Sequence, residues 1–353
     1  MGNPGHEQCG RPTGSRQPAK LTAMEGRFDA LISVLDRNTP VLVQTHDFPD
    51  HDAVGAACGL SALLRIKGYL SLVTFGGMIQ SISLGEMIER LEIPFVPFDA
   101  ACADGRYQTV VVDGSPASGT VRTVAGELIG VIDHHPSRKK NKCPFIDVRT
   151  DTGSCSSIVW TYWRECGLEP DRTTATALLA GIQLDTDFLS RKVSETDLDA
   201  HRALYFLGNP KLAGDVVRTA LSVAQLADIG RAFSDVTVQG TVLLAEVRGE
   251  YSSELLSVLA DFLLRLQEVT FIAVLAAGGE TFRISARTRD DELDAGYVLH
   301  KALKGIGTGG GHPHMAGGVI RAADYPGSDG FIRRIIESID YNRRKNEADS
   351  QTD

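Results

Sequence analysis

The sequence predicts an α/β protein of two domains, an N-terminal doubly wound parallel sheet and a smaller C-terminal α/β domain across a cleft. Two observations carry this. The chain has 353 residues, more than one average domain. From Leu21 onward, short β-branched runs alternate with longer helical ones, and the alternation breaks near "FLGNPKLAGD" before a second set begins after Asp235.

The opening, "MGNPGHEQCGRPTGSRQPAK", is rich in Gly, Pro, Gln and Arg and has no hydrophobic stretch. It reads as a disordered tail over 1–23 and not as a secretory signal. In the first domain, 24–206, the runs "VLVQT", "LSLVTF", "TVVVD", "LIGVID" and "PFIDV" look like buried strands. Continuous apolar strands separated by helices imply a parallel sheet. A helix over 53–67 is stopped by Gly68, and two more are expected over 154–166 and 172–189. A helical linker is expected over 207–232.

In the second domain, 233–342, "VTVQGTVLLAEV", "FIAVLAA" and "TFRISAR" read as strands, with helices over 253–267 and 293–304. A glycine-rich loop, "GIGTGGGHPHMAGG", precedes a strand at Val319, and the closing helix should fray into a polar tail over 343–353.

Apolar residues make up 42% and charged residues 23%, enough for a sizeable core. A net charge of −9 argues against a general binder of long nucleic acid, which carries a basic face. It leaves room for a small phosphorylated substrate, because a bound divalent metal reverses the local sign. The six cysteines form no CxxC pair, which disfavours a thiolate zinc site or a disulfide framework and suits a reducing cytoplasm. No apolar run approaches the ~20 residues that span a bilayer.

The chemistry concentrates at strand ends. His46, Asp50 and Asp52 follow the first run, Asp113 ends the third, and Asp133, His134 and His135 end the fourth. Open α/β sheets bind ligands at that edge. Alone, Asp50 or Asp52 would be a helix cap and Asp113 a turn residue. Acids at three separate strand ends, two of them with histidine, point instead to a divalent cation with oxygen and imidazole ligands. Arg287 ends the strand "TFRISAR", and Gly309, Gly310 and Gly311 permit a nest of backbone N–H groups for an anion, with His312 beside it.

"HDFPDHDAVGA", "VVVDGS", "VIDHHP" and "GIQLDTDFL" resemble the four successive motifs of the DHH phosphoesterase superfamily. "GTGGGHPHMAGG" is similar to the glycine-rich loop of its DHHA1 partner domain. The resemblance is greatest to the short-oligoribonuclease and 3′-phosphoadenosine-5′-phosphate phosphatase branch. It implies two manganese ions, with magnesium or cobalt as substitutes. One would be held by His46, Asp50 and Asp113, the other by Asp52, Asp113, His134 and Asp185, with Asp113 bridging. It implies that His135 contacts the scissile phosphate, and that Arg287, His312 and the loop of Gly309–Gly311 grip the substrate.

Three positions depart from the family: Phe48 stands for Asn, His51 for Gly, and Asp187 for the Gly after Asp-Thr. His51 could also compete as a ligand. The resulting expectation is a cytoplasmic hydrolase of short RNA or linear dinucleotides, or of 3′-phosphoadenosine-5′-phosphate. Long duplex DNA and membranes are not expected as partners, and a homodimer is left open. The alternatives are a pyrophosphatase or polyphosphatase on the same metals, or a non-catalytic nucleotide-binding regulator.

Overall fold

A computed structural model describes residues 26–350, apart from 80, 138, 219–222, 224, 225, 235, 248–250 and 252. The tail expected over 1–23 lies outside the described residues.

The first domain runs α1 (Arg27–Ser33), β1 (Val41–Gln44), α2 (His51–Ile66), β2 (Ser71–Thr74), α3 (Ile82–Arg90), α4 (Phe98–Asp104), β3 (Gln108–Val112), β4 (Glu127–Asp133), β5 (Phe145–Val148), α5 (Cys155–Glu165), α6 (Arg172–Asp185) and α7 (Glu195–Leu207). Its five strands pair in parallel, in the order β2-β1-β3-β4-β5. Every residue of β1 and β3 is buried, so both faces of the sheet are covered, one by α2 and α5 and the other by α4 and the loops around Val121 and Ala125. That explains why these runs are continuously apolar and do not alternate. The chain leaves β1 to build β2 on one side and returns to place β3 on the other. The crevice at the carboxyl ends of β1 and β3 is therefore a topological switch point.

The edge strand β5 shows the alternation the central strands lack, with Ile146 and Val148 outward and Phe145 and Asp147 inward. Asp147 is buried but well partnered. It accepts bonds from Arg149 Nε at 3.0 Å, Arg149 Nη2 at 2.7 Å and the Tyr162 hydroxyl at 2.6 Å. This ties β5 to α5. Burial works to raise the Asp147 pKa, but the bonds from Arg149 and Tyr162 outweigh it and hold the carboxyl below its usual range.

The stretch expected as a linker is not one unit. Helix α8 (Pro210–Arg218) adds Ala213 and Val216 to the core of the first domain, whereas Ile229 of α9 (Leu226–Ser234) packs with the second.

The second domain continues β6 (Val236–Gln239), β7 (Val242–Val247), α10 (Ser253–Leu263), β8 (Phe271–Gly278), β9 (Thr281–Thr288), α11 (Ala295–Ala302), β10 (Gly307–Gly311), β11 (Met315–Arg321) and α12 (Ser328–Ser350). The strand order is β10-β11-β9-β8-β7-β6, with only β7 and β8 parallel. "VTVQGTVLLAEV" is a hairpin, because Gly240 turns the chain at φ 59°. Helix α12 continues to Ser350, into the stretch expected to fray: Arg343 Nη2 reaches Asp290 at 2.8 Å and Asn346 Nδ2 donates to Glu292 O at 2.7 Å.

The glycine-rich segment corrects the sequence reading. Gly309, Gly310 and Gly311 are not a nest; they lie in β10 and pair with Gly318, Gly317 and Ala316 of β11. Their smallness serves packing. A Cβ on Gly296 of α11 would meet the Gly311 carbonyl oxygen at 2.5 Å, so the helix lies directly on the strand. A Cβ on Gly310 would meet nothing within 4 Å.

Two stability measurements check this packing. Asp147→Ala should cost about 2–3 kcal/mol in denaturant unfolding at neutral pH, since it leaves Arg149 and Tyr162 without their acceptor. A depressed carboxyl pKa contributes stability above the ordinary carboxylate range and loses it as the pH falls. The gap between wild type and variant should therefore narrow below about pH 4. Gly296→Ala should cost about 1–3 kcal/mol through overpacking, and Gly310→Ala should stay within about 0.5 kcal/mol of wild type in the same assay.

Candidate metal centre and substrate cleft

The acidic side chains at the switch point arrive on three elements: the first turn of α2, the end of β3 and the end of α6. Asp50 is the N-cap of α2, and its Oδ1 accepts from Asp52 N at 2.9 Å and Ala53 N at 3.0 Å. Asp50 thus caps the helix with one oxygen and keeps the other for a ligand. Asp52, fully buried in the first turn of α2, lies against the N-terminus of α5 and accepts from Cys155 N at 2.6 Å and Ser156 N at 2.8 Å. A helix N-terminus favours a carboxylate there.

Asp113 follows β3 with φ 54°, a left-handed conformation that Asp tolerates better than most residues. Gly114 comes next; a side chain on it would press on Thr120 Oγ1 at 2.6 Å and His46 Cβ at 3.1 Å. Asp185 is the last residue of α6. The helix expected over 172–189 stops there because Asp187, Phe188 and Leu189 are all left-handed, at φ 45°, 54° and 66°. Thr186 pins this turn: its hydroxyl donates to Ile182 O at 2.5 Å and accepts from Leu189 N at 3.1 Å.

The imidazoles complete the cluster. His134 Nδ1 lies 3.3 Å from Thr152 O, which makes Nδ1 the donor and turns Nε2 toward the carboxylates. Nε2 stands 3.1 Å from Asp185 Oδ2, 3.3 Å from Asp113 Oδ1 and 4.0 Å from Asp52 Oδ2. His46 Nε2 is 3.6 Å from Asp113 Oδ2. Ligand-type atoms of His46, Asp50 and Asp113 lie within 4.8 Å of one another, as do those of Asp52, His134 and Asp185, and those of Asp113, His134 and His135.

The residues present fit divalent cations. Among the described residues, three buried side-chain polar atoms lack a hydrogen-bond partner, and two of them, Asp113 Oδ1 and His134 Nε2, face each other here. Burial, with the charges of Asp113 and Asp185, pushes the Asp50 carboxyl up to about 6 and the Asp52 carboxyl well above its usual range. Burial opposes a proton on His134, yet Asp113 and Asp185 push that imidazole up to about 12. Protons are held here where cations would otherwise balance the charge.

His135 leans the other way. Its backbone N–H and Nδ1 both bond Asp133 Oδ1, at 3.0 and 2.9 Å. Across the cleft its ring centre is 5.4 Å from that of His312. Burial opposes protonation of His135, but Asp133 and Asp113 outweigh it; His312 is lowered by burial, His135 and Lys192.

Arg287, 8% exposed, is held by Asp261 Oδ1 at 2.8 Å from Nε and by Ser285 Oγ at 3.0 Å from Nη1. With Gly309, Gly311 and His312 it lines a cavity of about 700 Å³; Gly310 is not part of that lining.

One acid of the first motif and one of the fourth lie outside the cluster. Asp47 pairs with Arg122 Nε at 2.8 Å, and Asp187 accepts from Ser190 Oγ at 3.1 Å. His51 is not a competing ligand, because its Nε2 lies 3.2 Å from Val216 O and 3.3 Å from Ser83 Oγ. Sequence reasoning missed the support from Thr152, from the α5 N-terminus and from Asp261. The capping serine in "TGSCSS" signalled that helix start. Nothing in the chain signalled Asp261, 26 residues before its partner.

The DHH family N-terminal domain model matches residues 40–182, and the DHHA1 domain model matches residues 239–339. The chain belongs to the DHH family and carries a DHHA1 domain behind its metal-site domain.

It is 32% identical over 290 residues to an uncharacterized protein of Methanocaldococcus jannaschii, covering 81% of this chain and 59% of that protein. It is 29% identical over 157 residues to a probable manganese-dependent inorganic pyrophosphatase of Streptococcus pyogenes, covering 41% of this chain and 48% of that protein. The chain therefore spans about half the length of these relatives. The crystal structure of an exopolyphosphatase-related protein from Bacteroides fragilis shares the fold, with TM-score 0.74 at 17% identity, over 91% of this chain and 97% of that one. Among the described residues no helix is long and apolar enough to cross a membrane.

Calorimetric titration with Mn²⁺ checks the fit. Wild type should take up two ions, His46→Ala one, and Asp113→Ala neither at comparable affinity.

Proposed function

We propose that this protein is a manganese-dependent phosphoester hydrolase. Its substrates would be short oligoribonucleotides or linear dinucleotides, cut to nucleoside monophosphates, or 3′-phosphoadenosine-5′-phosphate, converted to AMP. One observation carries the reading: the carboxylate–imidazole cluster opens across from a cavity lined by Arg287 and His312. The family fixes neither substrate nor direction of cleavage.

His46, Asp50 and Asp113 would hold one ion, and Asp52, Asp113, His134 and Asp185 the other. Bound there, two divalent cations would offset the carboxylates, polarise a phosphoryl group and lower the pKa of an attacking water. The protein's own groups supply the rest. Thr152 O fixes the His134 tautomer, and the α5 N-terminus holds Asp52 in place. Asp133 orients His135 through Nδ1, leaving Nε2 to carry a proton to the leaving oxygen. His135 is biased toward the protonated form and His312 toward the neutral one, so the pair supplies a donor and an acceptor across the cleft. Arg287, already aligned by Asp261, would take a terminal phosphate in the cavity.

A second reading, hydrolysis of inorganic pyrophosphate or polyphosphate, is favoured by the likeness to the manganese-dependent pyrophosphatase over part of the first domain. It leaves the cavity around Arg287 without a use.

A panel of short RNAs, pApA, cyclic dinucleotides, 3′-phosphoadenosine-5′-phosphate and inorganic pyrophosphate, incubated with Mn²⁺ and resolved by chromatography, separates these readings. Linear nucleotides should be consumed fastest and cyclic dinucleotides slowest, since a closed ring offers no terminal phosphate to Arg287. Asp113→Ala should be slower by roughly 100-fold or more. Pyrophosphate turnover that outpaces every nucleotide would favour the second reading.

A further inference from the structure

Phe48 departs from the family pattern, and neither the metal ligands nor the phosphate-binding groups account for it. It stands between Asp47 and Asp50 in the loop after β1, and the residue is 44% exposed. The loop beneath it is fixed: Asp47 N–H donates to Thr120 O at 3.1 Å, and Asp47 Oδ2 accepts from Arg122 Nε at 2.8 Å. That ion pair sets the Arg122 guanidinium 5.5 Å from the centre of the Phe48 ring. The ring is thus held from one side by a cation that is itself anchored.

Phe48 is also the one residue of the first domain in the lining of the cavity of about 700 Å³. Ser285, Arg287, Gly309, His312 and Met315 are among the second-domain residues facing it. That volume suits one small organic ligand. A flat apolar surface at the mouth of such a site, opposite an arginine, matches a nucleotide: base on the ring, phosphate on the guanidinium.

We propose that Phe48 is the stacking platform for the substrate's nucleobase and selects nucleotides over phosphates that lack a base. This rests on the hydrolase reading above and names the part of the substrate that the cavity recognises. Phe48 lies two residues before Asp50, so one short loop relates the base position to the metal cluster. Every base has a π face, so all four should be accepted, with purines bound more tightly for their larger area.

The test is equilibrium binding of AMP and of ribose 5-phosphate, by calorimetry in Mg²⁺. Wild type should prefer AMP. Phe48→Ala should weaken AMP binding about tenfold and bring the two ligands close together, because the base then adds little. Phe48→Trp should restore the preference. Its new indole should be quenched by AMP and not by ribose 5-phosphate, against a steady background from the buried Trp160 and Trp163.

An AMP preference that survives in Phe48→Ala overturns the proposal. So does a wild type that binds the two ligands equally or shows no AMP binding. The hydrolysis panel is read separately. A Phe48-dependent preference in a protein that cleaves no nucleotide would sink the hydrolase reading and leave the stacking in place. Cleavage with a preference indifferent to Phe48 would do the reverse.

Discussion

The mutual repulsion of four carboxylates at one sheet edge is the constraint from which the architecture of the first domain follows. Asp50 and Asp52 come from the first turn of α2, Asp113 from the end of β3 and Asp185 from the end of α6, and two of them, Asp52 and Asp113, have almost no contact with water. Burying like charges is opposed by both desolvation and Coulomb repulsion. Backbone dipoles offset part of this: the N-terminus of α2 takes one oxygen of Asp50, and that of α5 takes both oxygens of Asp52. The remainder falls on Asp113, which has a left-handed backbone and an unbonded buried oxygen. Its neighbours at that point are His46, His134 and His135, three imidazoles rather than three further acids.

The second domain answers a different requirement, which is to present a small and rigid face. Glycine pairs with glycine along β10 and β11, so α11 can lie on the strand backbone while Arg287 on β9 stays within reach of the cleft. A guanidinium free in solvent would lose rotamer freedom on binding a phosphate. Here Asp261, Ser285 and the Ala286 carbonyl have already fixed it, so that entropy is lost on folding and not at each binding event.

The parallel sheet and the acidic strand ends were legible in the sequence, because strands buried on both faces read as unbroken apolar runs. Three things were not legible. Strand β10 and the start of β11 read as a loop, since glycine is a poor strand former and the close packing of α11 on the backbone cannot be read from the chain. Helix α6 reads as reaching residue 189, since Phe188 and Leu189 continue an apolar pattern that cannot reveal a positive φ. Helices α3 and α4 are too short to build a clear period. At the site, the ligand types were visible at the strand ends. Their orientation came from Thr152, the α5 N-terminus and Asp133, and part of that is backbone with no side chain to read. The crowding in "HDFPDHD" resolves the same way: Asp50 and Asp52 turn to the cluster, while Asp47 and His51 turn away to Arg122 and Val216.

The two helix ends at the cluster are not equivalent, and the difference bears on how the site is built. Asp52 sits at the positive end of α5, where the helix dipole favours a carboxylate. Asp185 sits at the opposite kind of end, the carboxyl terminus of α6, where the dipole disfavours one. Asp185 is also the more exposed of the two, 20% against 0% for the side chain, so solvent relieves some of its cost. Among the described residues no backbone N–H group holds its carboxylate in the way two hold Asp52. What confines Asp185 is the left-handed turn that stops its helix and the imidazole 3.1 Å away. Asp52 is therefore positioned by backbone N–H groups whether or not a cation is bound, whereas Asp185 owes its position to its own turn and to His134.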